Sequence, residues 1–246
     1  MGTKRFASCD EGKFKHRIQR TQSARCKILE SGTETLTLSN QNTVTVTTGQ
    51  VAQPITLSKW DLSVESWTEG EKPTETNKTV LQVGTIDGLK PWNKIPGLEK
   101  VSGIGRYTTT VSLDQGWEQG SGALIRLGDV VDSYQIEVNG NLVPASQIDT
   151  TIDIGKYLKA GENTITVEVA STLLNAVLDA HALDGRNPDE YGMMGPVTLT
   201  PYRVTEIALQ DKQILNTVIA YAEQQLADPE FDQVILSVQQ SFRRCV

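Results

Sequence analysis

Cysteine is scarce here and placed where it can do little. The chain has three, Cys9, Cys26 and Cys245, all close to the ends of its 246 residues. Its middle therefore holds neither a disulfide framework nor a cysteine-based zinc site. A Cys9–Cys26 bridge fits the count, and loose terminal thiols are the simpler reading. Histidine is rarer still, with only His16 and His181, and no G-x-S-x-G accompanies them. Ser-His-Asp catalysis is thus without its parts. No apolar run approaches the length of a membrane-spanning helix, and the first residues lack the apolar stretch of a signal peptide. Gly103-Ile104-Gly105 has neither the preceding strand nor the following helix of a phosphate loop and reads as a turn. No run of βα units supports a catalytic barrel.

Charge is unevenly spread. Residues 1–27 hold eight of the 23 Lys and Arg and two of the 30 Asp and Glu. Residues 28–246 keep 15 basic and 28 acidic side chains, a net −13. So acidic a body argues against a nucleic-acid partner. The basic segment 1–30 shows no sustained period and reads as a disordered or foreign leader.

From residue 34 the pattern is alternation. TLTLSN (35–40) and TVTVTT (43–48) put apolar residues at every second position, as half-buried antiparallel strands do, with Asn40-Gln41-Asn42 as the turn. Further strand-like runs cover 55–67, 106–113, 123–130, 133–139, 163–171 and 196–204. Asn139-Gly140 suits the central pair of a type I′ turn, and Asp153 to Gly161 reads as a short helical turn with Ile154 and Leu158 inward. Short strands divided by Gly, Pro and Asn turns predict an all-β antiparallel sandwich over residues 31–204. After residue 205 the period becomes helical: Ile214, Leu215, Val218, Ile219, Ala222 and Leu226 form one apolar stripe, and Val234 to Phe242 a second. Residues 205–246 are expected to be a helical hairpin, the start of an incomplete three-helix module.

Five pieces occur in a specific order: WDLSVESW (60–67), LKPWNKIPGLEKVSGIGRYTTTVSL (89–113), LIRLGDVVDSYQIEVNGNLV (124–143), IDIGKYLKAGENTITVEVASTLLNAV (152–177) and YGMMGPVTLTPY (191–202). Carried by these, residues 55–204 resemble the galactose-binding-like jelly rolls attached to family 2 glycoside hydrolases and to α-L-rhamnosidase-type enzymes. The resemblance implies a non-catalytic accessory module of a secreted bacterial enzyme. Its implied partners are a polysaccharide or glycan and the parent's catalytic domain, with no nucleic acid and no membrane. The parent would be extracellular, although this chain shows no signal peptide. A spacer that docks a catalytic domain without binding sugar is the alternative, and a free-standing glycosidase a third. The third would need two carboxyl groups flanking one bond, and none of Asp129, Asp132, Asp179, Asp184, Asp189 and Glu190 has such a context.

Sugar sites on β-sandwiches offer aromatic faces to the pyranose ring and Asn, Asp, Arg or Gln to its hydroxyls. Trp60 and Trp67 differ by an odd number, so under strict alternation at most one faces the core, and Trp60 is the better fit there. Trp92 and Trp117 lie in Gly/Pro-rich loops, where they suit ligand stacking and equally suit plugging the sandwich end. The long connection 172–195 adds Asn175, Arg186 and Tyr191, and its first part also fits a covering helix. The expected recognition surface is therefore Trp92, Trp117, Asn175, Arg186 and Tyr191. No organic cofactor is implied. A structural calcium ion is common in related folds, with Asp129, Asp132 and Asp153 as candidate ligands.

Overall fold

The structure is a computed structural model that describes residues 6–11, 22–37, 43–72, 74–114, 117, 120–181 and 187–209. The chain divides into two compact units, one of Met1–Gln53, Gln119–Gly122 and Pro201–Val246, the other of Pro54–Glu118 and Ala123–Thr200.

In the first unit, β1 (Phe6–Glu11) pairs antiparallel with β2 (Gln22–Ile28), and β3 (Gly32–Thr37) pairs with β4 (Thr43–Thr48). The alternation of TVTVTT places Val46 inward and Thr45 and Thr47 outward. The Asn40–Asn42 turn lies outside the described residues, as do the expected helices beyond 213. Two expectations need correction. Part of the segment read as a structureless leader is strand. The boundary drawn at residue 204 falls inside the last strand, which continues to Leu209 and pairs Arg203–Leu209 with Gln22–Ile28. The cause is non-local: β2 gains its ladder partner from the far end of the sequence, which no local period reveals.

The second unit is a β-sandwich. Its strands are β5 (Ile55–Thr56), β6 (Lys59–Glu69), β7 (Thr76–Asp87), β8 (Gly103–Leu113), β9 (Ser121–Arg126), β10 (Asp129–Val131), β11 (Ser133–Val138), β12 (Asn141–Val143), β13 (Thr151–Asp153), β14 (Gly161–Ala170), β15 (Gly192–Gly195) and the start of β16 (Thr198–Leu209). One sheet has the order β12-β11-β14-β8-β6-β7, and every pairing along it is antiparallel. β13 and β9 pair in the other sheet, and β5 pairs with the start of β16. Alternation makes the core: Trp60, Leu62 and Val64 of β6, Tyr107 of β8, Ile136 and Val138 of β11, and Ile165, Val167 and Val169 of β14 point inward. Ala123 and Ile125 of β9, Ile152 of β13 and Leu199 of β16 meet them in the same cluster. The expected all-β sandwich is the observed fold.

Local turn chemistry follows the sequence at the β11–β12 hairpin. Asn139 (φ 51°) and Gly140 (φ 79°) form its two-residue loop, with Val138 opposite Asn141. At the edge, Leu62 faces Gly84 while Ser63 faces Gln82, so Val83 is the extra residue of a bulge in β7 and Gly84 takes a φ of 80°. The expected helical turn is a 3-10 turn at Gly155–Tyr157, where the Asp153 carboxylate accepts the Gly155 N–H at 2.9 Å.

Asn163 locks these turns together. Fully buried, it accepts at Oδ1 from the Lys159 N–H (2.9 Å) and the Asn139 amide (2.8 Å), and donates to the carbonyls of Lys159 and Gly161. Replacing it strands several of these partners away from water. Asn163→Ala is therefore expected to lower the unfolding free energy by roughly 2–3 kcal/mol. Urea titration with an unchanged m-value checks this.

Candidate functional site

The residues expected to recognise a ligand are largely spent on packing. Trp92 opens a 3-10 turn (Trp92–Lys94) and is fully buried. Its backbone N–H donates to the Tyr191 carbonyl at 2.9 Å, and its indole Nε1 donates to the Tyr107 hydroxyl at 2.6 Å. The Tyr191 ring meets it edge-on, with centroids 6.3 Å apart and an interplanar angle of 72°. Two glycines make the space. A Cβ at Gly105 would lie 2.4 Å from Trp92 Cζ2, and one at Gly192 would lie 2.5 Å from Nε1. Gly103-Ile104-Gly105 is therefore not the turn it resembled but part of β8, bare at Gly105 because an indole lies over it. Met193 N–H also donates to Tyr107 Oη, and burial pushes that phenol above its ordinary range against both hydrogen bonds.

This placement corrects three of the five expected site residues. Trp92 and Tyr191 are buried and present no ring face to a sugar. The Tyr191 hydroxyl bonds the Thr172 hydroxyl instead. Asn175, also buried, staples the long connection, donating to the Asp189 carbonyl at 2.9 Å and accepting the Asp189 N–H at 2.8 Å. Trp117 is half-buried and packs against the core cluster, and Arg186 lies outside the described residues. Of the carboxylates considered for calcium, Asp132 accepts the Thr172 N–H and Asp153 the Gly155 N–H. Among the described residues no three His, Cys, Asp or Glu side chains gather as a metal site.

What the surface does offer is a cleft of about 180 Å³ lined by Trp67, Thr68, Glu69, Glu75, Thr76, Leu173, Ala176, Val177 and Ala180. Its polar wall is the β6–β7 hairpin, where Glu69 faces Thr76 across the ladder. Its apolar wall is α1 (Leu174–His181) with the preceding Leu173. That helix buries Asn175 and Leu178, while its N–H at Ala176 donates to Ser102 Oγ and Asp179 pairs with Lys100 at 2.7 Å. Leu173 (44% exposed) and Val177 (41%) consequently face outward. Trp67 is half-buried. Lys78 Nζ sits 4.0 Å from its ring centroid, and its indole N–H donates to Glu65 at 2.6 Å. That bond, followed by Lys78, holds the Glu65 carboxyl below its usual range.

The sequence carried a usable signal for this cleft. Parity already put Trp67 on the opposite face from Trp60, and β6 keeps strict alternation because the bulge falls in β7. LLNAVLDA is also apolar on two sides, more than an eight-residue surface helix needs for docking.

The two tryptophans should separate cleanly on mutation. Trp92→Ala is expected to cost about 3–5 kcal/mol of stability, whereas Trp67→Ala costs well under half as much. Parallel urea or thermal unfolding of the two variants measures the contrast.

Residues 90–195 match the family model for glycosyl hydrolases family 2, sugar binding domain. Among solved structures the chain is similar to a rhamnosidase from Novosphingobium sp. PP1Y, at 16% identity over 80% of this chain and 25% of that one, with a TM-score of 0.48. It is also similar to a β-D-glucuronidase of Dictyoglomus thermophilum (17% identity, 63% of this chain, 29% of that one, TM-score 0.40). A third is a family 2 β-galacturonidase from Eisenbergiella tayi (16% identity, 64% and 25%, TM-score 0.39). No curated protein matches. The chain spans between a quarter and a third of the length of these structures. The matched segment, residues 90–195, lies within the antiparallel β-sandwich.

Proposed function

We propose that this chain serves a family 2-type glycoside hydrolase as a non-catalytic, carbohydrate-binding accessory module, and that it meets sugar in the Trp67–α1 cleft. The observation that carries the reading is the cleft's composition. An indole and an aliphatic helix wall can cover the C–H face of a pyranose ring, and Thr68, Thr76, Glu69 and Glu75 can take its hydroxyls. Residues 173, 176, 177 and 180 of its lining lie inside the matched segment.

Two carboxylates in one cleft raise the hydrolase alternative, and their surroundings count against it. A glycosidase's general acid is kept protonated at neutral pH by an apolar pocket. Glu69 and Glu75 are both exposed, and Glu75 forms an ion pair with Lys72 at 2.9 Å. The spacer reading has support of its own. Trp92 is consumed by the core, and Leu142 (64% exposed) and Ile148 (84%) offer apolar surface elsewhere on the sandwich.

Affinity electrophoresis of the full chain against a panel of neutral and acidic polysaccharides tests the proposal. At least one should retard the protein, and Trp67→Ala should weaken that retardation roughly tenfold, about 1.4 kcal/mol. Aryl glycosides should stay intact. Migration unaffected by every polysaccharide would leave the spacer reading standing instead.

A further inference from the structure

We infer that Glu65, together with Lys78, is a positioning residue for the cleft: it fixes the Trp67 indole in the pose on which a sugar ring stacks. The inference rests on the sugar-binding reading above and adds the side chains that prepare the aromatic wall.

Strand register brings the three side chains together. Glu65 and Trp67 stand two residues apart on one face of β6, and Lys78 of β7 lies directly opposite Trp67. A single oxygen serves both partners. Glu65 Oε1 accepts the Trp67 indole N–H at 2.6 Å and lies 3.3 Å from Lys78 Nζ, and that ammonium sits 4.0 Å from the Trp67 ring centroid. Hydrogen bonds to an ionised carboxylate are stronger than neutral ones. The third side is bare backbone. A Cβ at Gly103 of β8 would lie 3.2 Å from Trp67 Cδ1 and 1.9 Å from the Glu65 carbonyl oxygen, and Gly103 takes a φ of 144° that side-chain-bearing residues rarely adopt. The indole is thus seated from β6, β7 and β8 at once.

The backbone around the ring is fixed separately. Ser102, fully buried, accepts the Trp67 N–H at its carbonyl (2.9 Å) and the Ala176 N–H at its hydroxyl (3.2 Å), so it holds both β6 and α1. These bonds set where the two walls of the cleft stand. They leave the side-chain torsions of Trp67 undetermined. Ordering one such side chain at the moment of binding weakens affinity by about two- to tenfold. Glu65 and Lys78 do that ordering in advance, within the folded chain. Neither belongs to the cleft's lining, so they act through the indole.

The test follows the Trp67 indole N–H signal of the full chain in ¹⁵N-edited NMR, with the signal assigned from Trp67→Phe. The probes are the methyl glycosides of glucose, galactose, rhamnose and glucuronic acid. In the free chain, Glu65→Leu should move the indole signal upfield and speed its hydrogen exchange. Thermal unfolding should shift little, because the Glu65–Lys78 pair is substantially exposed. For a glycoside that binds the wild-type chain, Glu65→Leu should raise Kd about two- to tenfold. Glu65→Gln keeps an acceptor oxygen for the indole and should recover part of that loss. Lys78→Met should weaken binding less than Glu65→Leu does. Unchanged affinity in Glu65→Leu, or tighter binding in Lys78→Met, would overturn the positioning role and leave the sugar-binding reading intact. If none of the glycosides shifts the Trp67 signal of the wild-type chain, the reading itself fails and the inference goes with it.

Discussion

The hydrogen bond from the Trp92 indole to the Tyr107 hydroxyl sits where three chain segments meet. The 3-10 turn brings Trp92, β8 brings Tyr107 and Gly105, and the approach to β15 brings Tyr191 and Gly192. The indole fits only because both glycines lack a side chain, and the phenol stays buried only because Trp92 and Met193 satisfy its oxygen. Tyr191 passes the constraint on through Thr172, whose backbone N–H binds Asp132, to the start of α1. The apolar wall of the cleft is thus positioned from inside the sandwich, by residues outside its lining.

The same arrangement explains why the expected and observed sites differ. Trp92 in GLKPWNK carries the local marks of an exposed loop aromatic: glycine, proline and two lysines around it. Its burial depends on Gly105 and Gly192, thirteen and one hundred residues further on. Asn175 and Tyr191 have side chains suited to hydroxyl recognition, but Asn175 is held by Asp189 and Tyr191 by Thr172 and Trp92. The sandwich itself was legible, because alternation and the Asn139-Gly140 turn are local properties. Trp67 was legible in part: its parity showed which face it takes, but nothing local showed that α1 would stand beside it. The ladder of β2 with β16 was hidden for the same reason, since it joins segments from opposite ends of the sequence.

On the proposed function, a module that meets sugar through an open cleft is built for low affinity. Open sites bury little area, and side-chain ordering at hairpin tips offsets part of what burial contributes. Avidity from a second site in the same polypeptide, with the module raising the local concentration of substrate, is the way such weak contacts become useful.

The ladder joining Gln22–Ile28 to Arg203–Leu209 also shapes how the molecule is assembled. Contacts so far apart in sequence carry a large loop-closure penalty and form late. The sandwich of residues 54–118 and 123–200 lies between these two strands in the chain, so it can be synthesised whole before β2 gains its β16 partner. Until ribosomal synthesis passes Leu209, β2 keeps one edge open to pairing with a neighbouring chain. A chain ending before Arg203 would keep that edge of β2 open permanently.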